Sequence, residues 1–113
     1  MNETLLQETI NIILKNNRNP GDVEFVTDGT HWCFWDEFAK NSDFIYDSGF
    51  GGNMINLQLK VVGYDWWLER HEYDGSEWWE YKERPKLPRV EGSFTTQPGD
   101  VEIKDSFYAS NIY

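Results

Sequence analysis

One cysteine, Cys33, among 113 residues leaves no internal disulfide framework, and a lone thiol fits a reducing compartment. No apolar run approaches the ~18 residues of a membrane span. The opening Met1-Asn2-Glu3-Thr4 carries no basic side chain, and Glu8 interrupts the apolar residues after it, so no secretory leader is expected. Together these absences predict a soluble, cytoplasmic chain. Basic residues are also scarce: ten Lys and Arg stand against twenty Asp and Glu, a formal charge of −10. Phosphate-directed nucleic-acid binding needs a Lys/Arg surface to displace counterions, so direct binding to nucleic acid is not expected. Anionic membranes are disfavoured for the same reason. A basic protein surface remains a compatible partner, and the net charge also keeps an aromatic-rich chain soluble.

Aromatic residues are what the chain has in abundance, with six Trp, six Tyr and seven Phe. Each buries roughly 150–250 Å² when internal, so even half of them supply a core of useful size. The length suits one domain over residues 1–113 without metal or disulfide staples. The densest aromatic stretch runs from Trp66 to Pro85 and is nearly palindromic, with a Trp pair, a charged run, Asp74-Gly75, and a second Trp pair among acids. Asp-Gly between alternating aromatic runs signals a two-residue hairpin, because a type I′ turn needs positive φ at both central positions.

Residues 4–17 are predicted to form the long helix. Thr4 and Gln7 match a capping box, and Leu5, Leu6, Ile10, Ile13 and Leu14 form an apolar stripe. Asn16, Asn17, Asn19, Pro20 and Gly21 end it, with Gly as the expected left-handed cap. Strands are expected at 23–26 and 31–35 around a second Asp-Gly hairpin at Asp28-Gly29. A helical turn at 36–41 should be anchored by Phe38, and a short strand is expected at 43–47. Ile55, Leu57, Leu59 and Val61 alternate with polar residues as in a half-buried strand. Gly63 suggests a bend. Further strands are expected within 90–96 and 101–104, with a turn at 97–100 and a C-terminal arm over 106–113. The fold class is α+β, one N-terminal amphipathic helix on a twisted, mostly antiparallel sheet of five to seven strands.

With Asp74 and Gly75 as the loop, Tyr73 faces Ser76, His71 faces Trp78, and Leu68 faces Tyr81. Alternation then places Trp66, Leu68 and Arg70 with Trp79 and Tyr81 on a core face, Arg70 positioned to stack on Trp79. The opposite face carries Trp67, Glu69, His71 and Tyr73 with Trp78, Glu80 and Lys82. Trp, Tyr and Arg are enriched at binding hot spots, which makes Trp67, Glu69, His71, Tyr73, Trp78 and Glu80 the candidate protein-binding residues. The alternative is that helix and C-terminal arm, or a second copy, cover both faces, with the aromatic pairs serving the hairpin's own stability.

Catalytic signatures are thin. His31 and Cys33 would share a strand face but lie in an apolar segment, where Cys behaves as a small hydrophobe. His71, Glu69 and Tyr73 do not make a metal set, and no Cys-x-x-Cys or His-x-x-x-His spacing is present. Gly49, Gly51 and Gly52 lack the Lys-Ser/Thr of a phosphate loop. No enzyme activity, cofactor or metal is therefore expected. Between residues 22 and 47 lie Asp22, Glu24, Asp28, Asp36, Glu37, Asp43 and Asp47 against Lys40 alone, a local charge of −6. Three functional classes follow. The first is a small acidic, non-catalytic protein-interaction domain that uses the hairpin face for a protein partner or for homodimer formation. The second is a DNA-mimic inhibitor of a basic nucleic-acid-binding protein, of the kind phages and mobile elements carry, with those carboxylates in a row. The third is a small-ligand or carbohydrate-binding module.

Overall fold

The computed structural model describes residues 3–96 together with 102 and 103. It divides into two compact units, Met1–Glu83 and Arg84–Tyr113. The first contains helix α1 (Leu5–Lys15), a 3₁₀ turn (Pro20–Asp22), strands β1 (Val23–Thr27) and β2 (Trp32–Cys33), helix α2 (Trp35–Asn41), and strands β3 (Lys60–Gly63), β4 (Trp66–Tyr73) and β5 (Ser76–Glu83). The second contains β6 (Phe94–Thr95) paired antiparallel with β7 (Glu102–Ile103). The class is α+β, as expected, with five strands in the main sheet. Their order is β2-β1-β3-β4-β5, and every neighbouring pair is antiparallel. The turn at 97–100 and the arm over 106–113 lie outside the described residues. No helix among the described residues is long and apolar enough to cross a membrane.

Local chemistry sets α1 within its predicted range. Thr4 accepts the Gln7 backbone N–H at 2.9 Å, while the Gln7 amide donates to Asn11 at 2.9 Å. The free N–H groups of Leu5 and Leu6 donate to the Phe44 and Ser42 carbonyls at 3.0 and 2.8 Å, which satisfies the orphan donors of the first turn. At the other end Asn17, with φ of 62°, takes the left-handed position expected of a glycine. Arg18 and Asn17 donate back to Ile13 and Leu14 at 3.1 and 3.0 Å, a Schellman closure. The buried stripe is Leu5, Thr9 and Ile13, whereas Leu14 is half exposed. A threonine fits at its centre because its hydroxyl donates to the Leu5 carbonyl at 2.6 Å and accepts the Trp79 indole N–H at 2.8 Å. Both capacities are used, so no desolvation penalty remains.

The β4–β5 hairpin has the predicted register, Tyr73↔Ser76 through Trp66↔Glu83. Asp74 and Gly75 both take positive φ, 51° and 85°, as the tight turn demands. Its inner face joins the core of Leu5, Ile13, Val26, Phe38, Tyr46, Ile55, Val61, Trp66, Leu68 and Trp79. The Arg70 guanidinium lies 4.9 Å from the Trp79 ring centroid. Its side chain is wholly buried and bonds Glu77 at 3.0 Å and the Tyr46 hydroxyl at 2.9 Å. Its Nη1 sits 3.6 Å from the Glu8 carboxylate, which also accepts the Tyr46 hydroxyl. Burial, then this bond to Glu8, raises the Tyr46 phenol above its ordinary range.

Three other expectations change. The strand proposed at 55–61 begins only at Lys60, because Asn56 builds a local turn, accepting the Gln58 N–H at 2.8 Å through its side chain and the Leu59 N–H at 3.1 Å through its carbonyl. The strand proposed at 43–47 is a single bridge, Thr4↔Ile45. The strand at 31–35 shrinks to two residues, since Trp35 already starts α2, and a four-residue loop joins it to β1. Gly63 ends β3 with its Cα against the Trp66 indole; a Cβ there would lie 2.1 Å from the indole nitrogen.

Two predictions follow from this packing. Gly63→Ala should destabilise the protein by about 1–3 kcal/mol or more, the usual cost of overpacking, read as a lowered Tm. Glu77→Ala should cost about 3–5 kcal/mol, because it strands the Arg70 charge in the interior. It should also accelerate amide exchange at Met54 and Ile55, whose N–H groups the Glu77 carboxylate accepts at 2.5 and 3.1 Å.

Candidate protein-interaction surface

Alternation assigns the outer face of the sheet directly from the register. One cross-strand row runs Trp32, Thr27, Lys60, Glu69, Glu80, and the next runs Phe25, Val62, Trp67, Lys82. His71 with Trp78 and Tyr73 with Ser76 extend the face toward the hairpin tip. None of these residues is buried, while their inward neighbours Val26, Val61, Leu68 and Trp79 are. All six predicted binding residues, Trp67, Glu69, His71, Tyr73, Trp78 and Glu80, lie on this one side.

Their side chains are tied to one another. The Trp67 indole N–H donates to Glu69 at 2.7 Å, and the Trp78 indole N–H donates to Glu80 at 3.2 Å. Each strand thus carries a Trp-x-Glu unit, and the register sets the two carboxylates directly opposite. Like charges so placed repel. The Lys82 ammonium, 3.4 Å from Glu80, offsets this, and His71 Nε2 lies between the two carboxylates, 2.8 Å from Glu69 and 3.5 Å from Glu80. The Trp67 hydrogen bond foremost, with His71 behind it, holds the Glu69 carboxyl below its usual range; Trp78 does the same for Glu80, supported by Lys82 and His71. With their N–H groups occupied, the two half-buried indoles offer mainly apolar ring surface.

Sequence reasoning missed Trp32 and Phe25. Trp32 is 62% exposed and Phe34 66%, and their rings meet at 5.0 Å between centroids with planes 83° apart. The available signal was the alternation that puts Cys33 inward opposite Val26, which turns Trp32 outward. Tyr73, at 76% exposed, marks the other end of the face.

Five of the seven clustered acids have separate local roles. Asp22 accepts the Asn19 N–H at 2.7 Å, and Asp47 accepts that of Gly49 at 2.9 Å. Asp28 accepts those of His31 and Thr30 at 2.6 and 2.8 Å, bonds that hold its carboxyl below the ordinary range. Asp36 and Glu37 fill the first turn of α2, where the helix dipole favours them. Glu24 and Asp43 are exposed.

Burial, then the Glu37 charge, raises the Cys33 thiol, which disfavours the thiolate a nucleophile needs. His31 is exposed in the β1–β2 loop, 3.4 Å from Asp28. Burial foremost raises the Tyr81 phenol, and the outer carboxylates are held ionised. Among the described residues no group of three or more His, Cys, Asp or Glu is placed to hold a metal ion.

No protein-family model matches the chain, and no curated protein or solved structure matches it at a significant level.

The Glu69 environment gives a pH prediction. Its folded pKa is depressed, so its contribution to stability is present above the unfolded value of ~4.3 and is lost as pH falls through the folded pKa. Glu69→Gln should therefore flatten the acid limb of Tm against pH below about pH 5, by no more than about 1 kcal/mol at this partly exposed site. An unchanged acid limb contradicts the assignment.

Proposed function

We propose that this chain is a non-catalytic protein-interaction module that binds its partner on the outer face of the sheet. The observation that carries this reading is the fixed pair of indoles at Trp67 and Trp78, each locked by a same-strand carboxylate on a face with no buried residue. Aromatic anchors that are already ordered lose little entropy on association, which is what a binding hot spot requires. The flanking Phe25 and Val62 extend the apolar centre, while Glu69, Glu80, His71, Lys60 and Lys82 form a polar surround. The excess of acid over base favours a basic partner, because complementary charge steers encounter and suppresses wrong pairings.

The test is selection of displayed peptides against the folded protein, with affinities then measured on variants. Trp67→Ala/Trp78→Ala and, separately, Val62→Arg should each weaken a selected ligand about tenfold or more, the scale of a hot-spot truncation near 1.4 kcal/mol. Circular dichroism should show the variants folded. Ligands that bind both variants as tightly as the parent would falsify the reading.

A further inference from the structure

A cleft of about 450 Å³ opens at the β2 edge of the outer face, lined by Glu24, Phe25, Thr27, Gly29, Thr30, His31 and Trp32. Its shape follows from two local irregularities. Between Val23↔Gly63 and Phe25↔Val62 the β1–β3 register shifts by one residue, and a bulge of this kind re-aims a side chain that strict alternation would send inward. Here it leaves Glu24 beside Phe25 on the cleft wall. The β1–β2 loop then closes one end: Thr27 accepts the Gly29 N–H at 3.0 Å and donates to the His31 carbonyl at 2.6 Å. The loop's polar groups are thereby largely spent on the loop itself. Glu24 differs, for its carboxylate has no hydrogen-bond or ion-pair partner among the described residues. A glutamate side chain on a wall shared with two aromatic rings favours a cation over any neutral or anionic ligand.

The molecule shows which cation fits such a setting, because it builds the same constellation twice from its own residues. Arg70 lies 4.9 Å from the Trp79 ring centre and pairs with Glu77 at 3.0 Å. Arg18 lies 5.8 Å from the Trp66 ring centre and pairs with Asp65 and Glu83, each at 3.4 Å. The cleft offers a Trp and a Glu, and no lysine or arginine lines it among the described residues. We propose that this cleft receives an arginine side chain of the protein partner, with the guanidinium against Trp32 and paired to Glu24. Arginine suits it better than lysine because a flat, weakly hydrated guanidinium can stack on a ring and bond a carboxylate at once, whereas an ammonium is a compact, strongly hydrated point charge. The inference rests on the proposed binding face only for the molecule that delivers the arginine.

The six tryptophan indole N–H resonances provide the readout in ¹H–¹⁵N spectra of the intact protein, titrated with N-acetyl-arginine amide. The Trp32 signal should shift saturably, and the remote Trp66 and Trp79 signals should stay fixed. The citrulline amide, a neutral near-isostere, and the lysine amide should each shift Trp32 less at equal concentration. Glu24→Gln, an exposed and nearly isosteric change, should weaken the arginine response about threefold or more, the scale of one charge contact at a partly exposed site. Trp67→Ala/Trp78→Ala should leave the titration unchanged. No saturable shift at Trp32, an equal response to citrulline or to lysine, or an unchanged response in Glu24→Gln overturns the proposal. If peptide selection fails while this titration succeeds, the docking face is wrong and the arginine cleft stands. If the titration fails while selected peptides still depend on Trp67, the cleft alone is wrong.

Discussion

A buried guanidinium has to be surrounded, and Arg70 with its surroundings draws on four separate parts of the chain. Arg70 itself is on β4, Glu77 on β5, Glu8 on α1, and Tyr46 in the segment between α2 and β3. A positive charge taken out of water is tolerable only when its partners are in place, so the four segments are held in mutual register by one side chain. Two guanidinium nitrogens, Nε and Nη1, make no hydrogen bond among the described residues. The ring faces of Trp79 and Tyr46, at 4.9 and 5.7 Å, and the Glu8 charge compensate them instead. Net stabilisation from such a cluster is modest; its consequence is that alternative arrangements of these segments leave the charge exposed to apolar surroundings.

That constraint explains how residues 42–59 are fixed with almost no regular structure of their own. Glu77 reaches from the hairpin to accept two successive backbone N–H groups of the segment, and the Glu77 N–H donates to the Ser48 carbonyl at 2.8 Å. Tyr46 and Ile55 then drop into the core at 5% and 6% exposure. The hairpin tip is braced from the same side, since Gly51 donates to the Gly75 carbonyl at 3.0 Å. Charge–backbone and backbone–backbone bonds here replace the ladder a strand would supply.

The two faces of the hairpin consequently solve different problems with similar residues. On the inner face Arg, Trp and Glu are buried and meet their partners within the fold, two of the Arg70 nitrogens through ring faces and the Glu8 charge rather than through hydrogen bonds. On the outer face the Trp-x-Glu repeat orders the indoles laterally but leaves ring surface uncovered by any buried contact. Order without burial is an unfavourable arrangement for stability alone, since half-exposed tryptophans contribute little hydrophobic free energy for the area they keep in water. It is a favourable one for recognition, where preformed rings lower the entropy lost on docking.

The chain's local rules were enough for much of what depends on near neighbours. Asp74-Gly75 pointed to the hairpin and, with a two-residue loop, to its register, because positive φ at consecutive positions suits that turn and alternation then assigns each side chain a face; with them came both faces and the Arg70–Trp79 stack. The N-cap at Thr4 and the anchor at Phe38 were equally local. Most of what the sequence left open depends on partners distant along the chain. Thr9 became a core residue only because the Trp79 indole, seventy positions later, needed an acceptor. Residues 55–59 alternate like a strand, yet the Asn56 turn and the Glu77 carboxylate claimed their backbone. The outward aromatic pair Phe25 and Trp32 emerged only when β3 and β2 fixed the two sides of β1. Turns and alternation are short-range consequences of backbone sterics, whereas satisfaction of buried polar groups is a property of the assembled interior.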